Sequence, residues 1–180
     1  TVLPAFDPQL SGGALYDINI YNLNLIIGLF GAPNNLIYQA RKGFNGIDNS
    51  GVVLMRYHEF QALAIGAKDS DSPSTCLIQG EKGWLKVETA PNQLEKIACQ
   101  IRGEDNIQEY ALNQYPHRLS HEFAAFAAML ANKDFAGRDL YLNISLQVAE
   151  AAEKSRKQAD ISFLADQYLR SVPGGAKCPE

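Results

Sequence analysis

Five strand-like stretches between residues 35 and 113 follow one another through connections too short to hold a crossover helix. The second stretch, residues 50–68, divides into two strands through a tight turn near His58 and Glu59. The third stretch, residues 74–89, divides into two strands around GEKG. Parallel neighbours need a crossover of a dozen or more residues, so this order predicts a mostly antiparallel meander of about six to seven strands. The stretches are NLIYQARK (35–42), SGVVLMRYHEFQALAIGAK (50–68), STCLIQGEKGWLKVET (74–89), EKIACQIR (95–102) and QEYALN (108–113).

Several of these strands are apolar on both faces. In GVVLMRY, for example, Val52 and Leu54 point one way while Val53 and Met55 point the other. A sheet with one face in water would instead alternate apolar and polar residues, so we expect both faces to be covered. Helices of this chain can cover one face, and the other requires a second sheet, another subunit or closure into a barrel.

Helical patterns flank the strands on both sides. An apolar run from Ala14 to Phe30, closed by Gly31 and Pro33, predicts the first helix. Two more helices are predicted in SHEFAAFAAMLANK and GRDLYLNISLQVAEAAEKSRKQ. The sequence therefore predicts an α+β fold: a largely antiparallel, open mixed sheet with helices on one face. We expect a single domain over residues 1–172 and a loose tail over 173–180.

A polar stripe interrupts the first helix. Asp17, Tyr21 and Asn24 are spaced by four and three residues, which places them on one helix face. A helix that is otherwise apolar nearly all round is usually buried, and burying an unpartnered carboxylate costs on the order of several kcal/mol. The stripe is therefore either a hydrogen-bonded network inside the protein or the lining of a wet cleft, and the spacing alone does not choose between them.

Charge and composition exclude several classes of function. The net charge of −4 argues against a nucleic acid or an anionic membrane as partner, and no uninterrupted apolar run has the length of a membrane span. The three cysteines form no C-x-x-C pair, and their odd number favours a reducing compartment over a disulfide framework, which predicts a cytoplasmic protein. His117 and His121 have no apparent third ligand, so we expect no metal. The sequence contains neither G-x-G-x-x-G nor a P-loop.

The opening helix resembles a known family. GGALYDINIYNLNLIIGLFG is similar to the first helix of the C-terminal domain of the glucose-fructose oxidoreductase/inositol dehydrogenase (Gfo/Idh/MocA) family, where G-G-x-L-x-D-x-G-x-H/Y opens the substrate domain. The order of strands around I-x-G-E-x-G-x-L and the two closing helices are similar too. The resemblance covers about residues 7–160.

The resemblance implies a partner domain and a cofactor. In the family, an N-terminal Rossmann domain of the same polypeptide binds NAD or NADP, and an E-K-P segment supplies an active-site lysine; this sequence contains neither. The chain would then be the substrate-binding and oligomerisation domain, inert alone. Its open sheet would pack against that of a second subunit, which makes a homodimer the expected assembly.

The resemblance also assigns roles to individual residues. Asp17 matches the acid of the motif and Tyr21 its H/Y position, which makes both candidates for catalysis. Asn24 matches a polar position that helps to hold substrate hydroxyls, while Asn19, in place of the usual glycine, and Gly13 are further candidates for substrate binding. The tyrosine resembles the dihydrodiol-dehydrogenase-like branch. The implied reaction transfers hydride between a nicotinamide and a sugar, polyol or dihydrodiol-like small molecule.

Two other functions remain open at this point. The chain could be a non-catalytic module that binds a small ligand or dimerises. A weaker alternative is a stand-alone α+β barrel enzyme that uses an acid/tyrosine pair without a cofactor.

Overall fold

The computed structural model describes residues 4–111 and 113–167. These form two compact units, one from residues up to Ser70 and from Ile144 onwards, the other from Asp71–Asn143. The predicted single domain over 1–172 stays a prediction, and the tail over 173–180 lies outside the described residues. Among the described residues, no helix combines the length and the apolar character that a membrane span requires.

The first unit contains an antiparallel three-stranded sheet in the order β1-β2-β3. Its strands are β1 (Asn35–Lys42), β2 (Asp48–Arg56) and β3 (Gln61–Ala67). The predicted tight turn at His58 is confirmed, because the Tyr57 amide donates to the Phe60 carbonyl across 2.9 Å.

Helices cover one face of this sheet. The helix α1 (Ile20–Phe30) and the second half of α3 (Phe135–Gln158) supply its apolar cover. The buried core consists mainly of Leu15, Leu23, Ile27, Leu36, Tyr38, Val53, Met55, Ala64, Val148 and Ala152. On the opposite face Ile37, Leu63 and Ile65 are 49%, 61% and 64% exposed. The sheet ends at β1 and β3, so the closed-barrel alternative is wrong for the described strands.

The second unit contains the other four strands, in the order β4-β5-β6-β7. They are β4 (Cys76–Gly80), β5 (Gly83–Val87), β6 (Ile97–Ile101) and β7 (Gln108–Tyr110). The described residues contain seven strands, within the predicted six to seven, and the antiparallel pairing and the α+β class are confirmed. One open mixed sheet is wrong, because every described pairing is antiparallel and the strands divide into two sheets. The break falls at DSDSPS, which favours a loop over a strand.

The two closing helices are also confirmed. Helix α2 (Ser120–Asn132) buries none of its residues and leaves Phe123, Phe126 and Leu130 exposed. Helix α3 follows from Phe135, and its buried positions all lie in its second half.

The first helix begins with a π turn, Leu15–Asn19, and continues as α1. Its predicted extent is confirmed, including the end at Gly31, where φ is +75° and the amide donates to the Ile27 carbonyl across 2.8 Å. Only one stripe of the helix is buried, consisting of Leu15, Asn19, Leu23 and Ile27. The helix is therefore not buried all round, although it is apolar nearly all round, because the sheet contacts one side only.

A buried arginine ties the end of α3 to the segment that follows. Arg156, 3% exposed, donates to Glu153 across 2.7 Å, to Asp166 across 2.6 Å and to the Ile161 carbonyl across 2.9 Å. Its guanidinium also lies 4.7 Å from the centre of the Phe163 ring. These contacts offset the free-energy cost of burying the charged guanidinium.

Acid should destabilise the protein through this cluster. A hydrogen bond from Arg156 lowers the pKa of Asp166, and hydrogen bonds from Lys157 and Arg156 lower that of Glu153. A carboxylate whose pKa folding lowers stabilises the protein above its unfolded pKa, and this contribution is lost as pH falls through the folded pKa. We expect the urea unfolding free energy to fall below about pH 4.5, and less steeply in Arg156→Met. Equal slopes in the two proteins would contradict this.

Candidate functional site

The predicted polar stripe lies at the surface. The side chain of Asp17 is 54% exposed, Tyr21 is 44% exposed and Asn24 is exposed as well. The structure thus favours the solvent-facing interpretation over an internal network. Within the described part of the chain, no hydrogen bond or ion pair joins these three residues to one another.

Asp17 is held by a lysine that the sequence analysis did not single out. Lys68, directly after β3, places its Nζ 2.6 Å from Oδ2 of Asp17. The side chain of Lys68 is only 6% exposed, so its charge is withdrawn from solvent while the carboxylate that it binds is not. The signal available in the sequence was a lysine ending the apolar run ALAIGAK.

Tyr21 follows Asp17 by four residues and presents its phenol to solvent. Its hydroxyl has no hydrogen-bond partner among the described residues, so it is available to a bound molecule. Asp17 and Tyr21 together therefore offer a fixed carboxylate and an unengaged proton donor on one exposed stretch of helix.

Asn24 faces a different neighbour. With Tyr16 and Ile20 it lines a cavity of about 410 Å³ against α3, to which neither Asp17 nor Tyr21 contributes. Its amide donates to the Ile20 carbonyl across 2.8 Å. The other lining residues are Ser145, Val148, Ala149, Ala152 and Glu153. The structure therefore brings Asp17 and Tyr21 to the same exposed stretch but turns Asn24 towards α3.

Asn19 joins the helix to the sheet. It is fully buried, and its Nδ2 donates to the carbonyls of Gly51 and Ala64, each across 3.3 Å. Its Oδ1 accepts from Asn22, which also donates to the Ile65 carbonyl. Direct contact of Asn19 with a substrate would require these hydrogen bonds to open, so its described role is structural.

Gly13 makes room for a buried carboxylate. Its φ is +127°, and a Cβ there would collide with Oδ1 of Asp48. Asp48 accepts from the Leu15 amide and from the Tyr38 hydroxyl, both across 2.6 Å. Burial raises the pKa of Asp48, while these two hydrogen bonds oppose the rise. Gly13 and Asp48 thereby set the start of the helix that carries Asp17 and Tyr21.

Two further observations concern ligands. No group of three or more His, Cys, Asp or Glu side chains suited to a metal is present among residues 4–111 and 113–167. The second unit has a cavity of about 630 Å³ beside Trp84, Gln100 and Arg102, which the sequence analysis did not single out.

Comparison with known sequences gives two informative similarities. The chain is 30% identical over 167 residues to scyllo-inositol 2-dehydrogenase (NADP(+)) IolU of Bacillus subtilis strain 168, covering 93% of this chain and 50% of that protein. It is 31% identical over 163 residues to the uncharacterized oxidoreductase YgjR of Escherichia coli K12, covering 89% and 48%. The chain thus spans about half the length of these curated relatives. No protein-family model matches it.

Solved structures share the fold at lower identity. The 3-ketoreductase KijD10 from Actinomadura kijaniata, in complex with TDP-benzene and NADP, aligns with a TM-score of 0.64 at 18% identity, over 84% of this chain and 48% of that one. The aldose-aldose oxidoreductase from Caulobacter crescentus, complexed with glycerol, aligns with 0.67 at 19%, over 88% and 50%. The two sequence relatives are both oxidoreductases and confirm the resemblance drawn from the sequence, while the solved structures show that the fold is shared.

Proposed function

We propose that this chain, related in sequence and fold to the Gfo/Idh/MocA oxidoreductases, is the substrate-binding and dimerisation half of an NAD(P)-dependent enzyme of that family. Its match to only half of each oxidoreductase relative supports a partial chain. The sequence has no glycine-rich dinucleotide motif of its own, so we assign the nucleotide to a Rossmann domain of the same polypeptide.

The observation that carries this proposal is the exposed pair Asp17 and Tyr21 on a helix otherwise anchored in the core. A bound nicotinamide would supply the hydride chemistry. Tyr21 would give or take the proton at the substrate oxygen, since its hydroxyl has no other described partner. Asp17 would orient Tyr21 or a substrate hydroxyl from its fixed position beside Lys68. Tyr21 also matches the tyrosine that the dihydrodiol-dehydrogenase-like branch carries.

The proposed substrate is a sugar, polyol or dihydrodiol, a class that matches the name of the Bacillus subtilis relative, an inositol dehydrogenase. Asn24 would contribute its amide only to the part of a hydroxyl-rich ligand that reaches the cavity against α3, away from Asp17 and Tyr21. Asn19 and Gly13 would act indirectly. Asn19 would hold the helix against the sheet through its hydrogen bonds to strand carbonyls, and Gly13 would fix the start of the helix by leaving room for Asp48. The free thiols of Cys76 and Cys99 accord with a cytoplasmic location.

The direct test uses the complete oxidoreductase and the isolated chain side by side. Each is incubated with NAD⁺ or NADP⁺ and a panel of inositols, aldoses and dihydrodiols, and nicotinamide reduction is followed by absorbance. We expect turnover by the complete protein and none by the chain alone. Turnover by the chain without a nucleotide, or no nucleotide-dependent turnover by the complete protein, would overturn the proposal.

We also propose that the exposed sheet face mediates homodimerisation. Ile37, Leu63 and Ile65 form an apolar surface that no described element of their own unit covers. Contiguous exposed apolar surface of this kind marks interaction sites. The same face favours the second candidate function, a non-catalytic dimerisation module, and the activity assay above separates the two.

Ile65→Lys should convert the dimer to monomer without unfolding it. Ile65 is 64% exposed, so the substitution adds a charge at the proposed interface and removes little from the core. Leu29→Lys is the matched control, since Leu29 is an aliphatic residue of similar exposure, 57%, on α1, which covers the opposite face of the sheet. Sedimentation velocity would measure the state of each variant. A dimer that persists in Ile65→Lys would remove this face from the assembly.

A further inference from the structure

Lys68 is a buried cation, and the contacts of its side chain described here all involve the ammonium nitrogen, Nζ. Its Nζ lies 2.6 Å from Oδ2 of Asp17 and 2.7 Å from the Ala5 carbonyl, to which it donates. The centre of the Phe6 ring lies 4.8 Å from the same nitrogen. An ammonium has three N–H donors, and these neighbours fix the position of its charge.

The contact divides the two oxygens of Asp17 between different surroundings. Oδ2 faces the buried ammonium, whereas Oδ1 has no hydrogen bond to any described residue. Because the carboxylate is more than half exposed, Oδ1 is presented to solvent in an orientation that the protein sets. A carboxylate on an exposed helix would otherwise sample several rotamers.

The buried carboxylate of Asp48 does not compete with Asp17 for the Lys68 ammonium. Asp48 already accepts from the Leu15 amide and the Tyr38 hydroxyl and is 1% exposed. Lys68 acts on Asp48 only through a weak, longer-range attraction. The ammonium is therefore committed to Asp17.

We propose that Lys68 is a positioning residue for the reaction, which fixes the charged carboxylate of Asp17 so that Oδ1 meets the substrate or Tyr21. This inference rests on the proposed function of Asp17 and Tyr21. Misplacing a catalytic group by about 1 Å can cost about 10²-fold in rate, so a lysine that never touches the substrate can still control turnover.

A purely structural role would predict different behaviour. Lys68 also ties the segment at Ala5 and Phe6 to β3, and losing that tie alone would lower the melting temperature while leaving turnover unchanged below it. A positioning role predicts that kcat falls even where the protein is fully folded.

The test is a double-mutant cycle in the complete oxidoreductase, with Lys68→Met, Asp17→Asn and the double variant assayed well below their melting temperatures. We expect Lys68→Met to lower kcat by about 10- to 10²-fold with a much smaller change in KM. The double variant should be no worse than Asp17→Asn, because groups that act as a unit are not additive. Lys42→Met is the matched control, since the Lys42 ammonium donates to the Ala159 carbonyl and to no other described residue, and it should retain its kcat.

Each outcome decides the matter. Wild-type kcat in a folded Lys68→Met, or losses that multiply in the double variant, would overturn the role of Lys68 alone. An inactive wild-type protein, or full activity in Asp17→Asn, would overturn the proposed function and Lys68 with it. If Lys68→Met does not fold, Lys68→Gln keeps a donor for the Ala5 carbonyl while removing the charge, and the same expectations apply.

Discussion

Replacing Tyr21 with Phe should lower kcat of the complete oxidoreductase by about 10²-fold or more. The change removes only the hydroxyl, which has no hydrogen-bond partner among the described residues. The loss should therefore appear in turnover and not in stability. Steady-state kinetics with the best substrate of the panel would measure the first, and thermal unfolding the second.

The matched control is another tyrosine of the same unit. Tyr57→Phe deletes a hydroxyl that donates to the Gly31 carbonyl across 2.9 Å, at the end of the helix carrying Tyr21. This variant should lose stability and retain its kcat, the reverse of Tyr21→Phe. Wild-type kinetics in Tyr21→Phe would remove Tyr21 from proton transfer.

The second large effect concerns stability. Asp48→Ala should lower the free energy of unfolding by about 2–4 kcal/mol, because it leaves the Leu15 amide and the Tyr38 hydroxyl buried without an acceptor. In a domain of this size that corresponds to a decrease in melting temperature of several degrees. Urea unfolding followed by circular dichroism would measure it.

Tyr38→Phe separates the two contacts of Asp48. It removes one donor and leaves the bond from the Leu15 amide in place, so we expect a loss of about 1 kcal/mol. An Asp48→Ala protein within about 0.5 kcal/mol of wild type would mean that water or a shifted side chain satisfies both donors.

Local patterns explain why the strands could be predicted. The β1 stretch 35–42 is identical in the sequence reading and the structure, and the turns at His58 and GEKG are closed by neighbouring residues. Every described pairing joins strands that are consecutive along the chain, so the division into two sheets depends on β3 and β4 not pairing with each other. A hydrophobic pattern indicates strands but not whether two successive strands pair, so the sequence predicted about six to seven strands but not their partition.

The candidate site shows the same limit. The motif identified Asp17 and Tyr21, and the spacing placed them on one helix face, which the structure shows to be exposed. The contacts that set this face were missed, since Asp48 lies 33 residues from Leu15 and Lys68 lies far along the chain from Asp17. Charged residues are mostly exposed, so a pattern alone gives no reason to place Asp48 and Lys68 in the interior.

The contact between Asn19 and Gly66 links two positions that are distant in sequence. A Cβ on Gly66 would lie 2.9 Å from Cγ of Asn19, so the amide occupies space that a larger strand residue would need. The related motif carries glycine where this chain has Asn19. A glycine at that position would leave room for a side chain at position 66 of the strand. The two sites should therefore covary among relatives: chains with glycine on the helix can accept alanine or serine on the strand, whereas chains with asparagine on the helix should retain glycine on the strand.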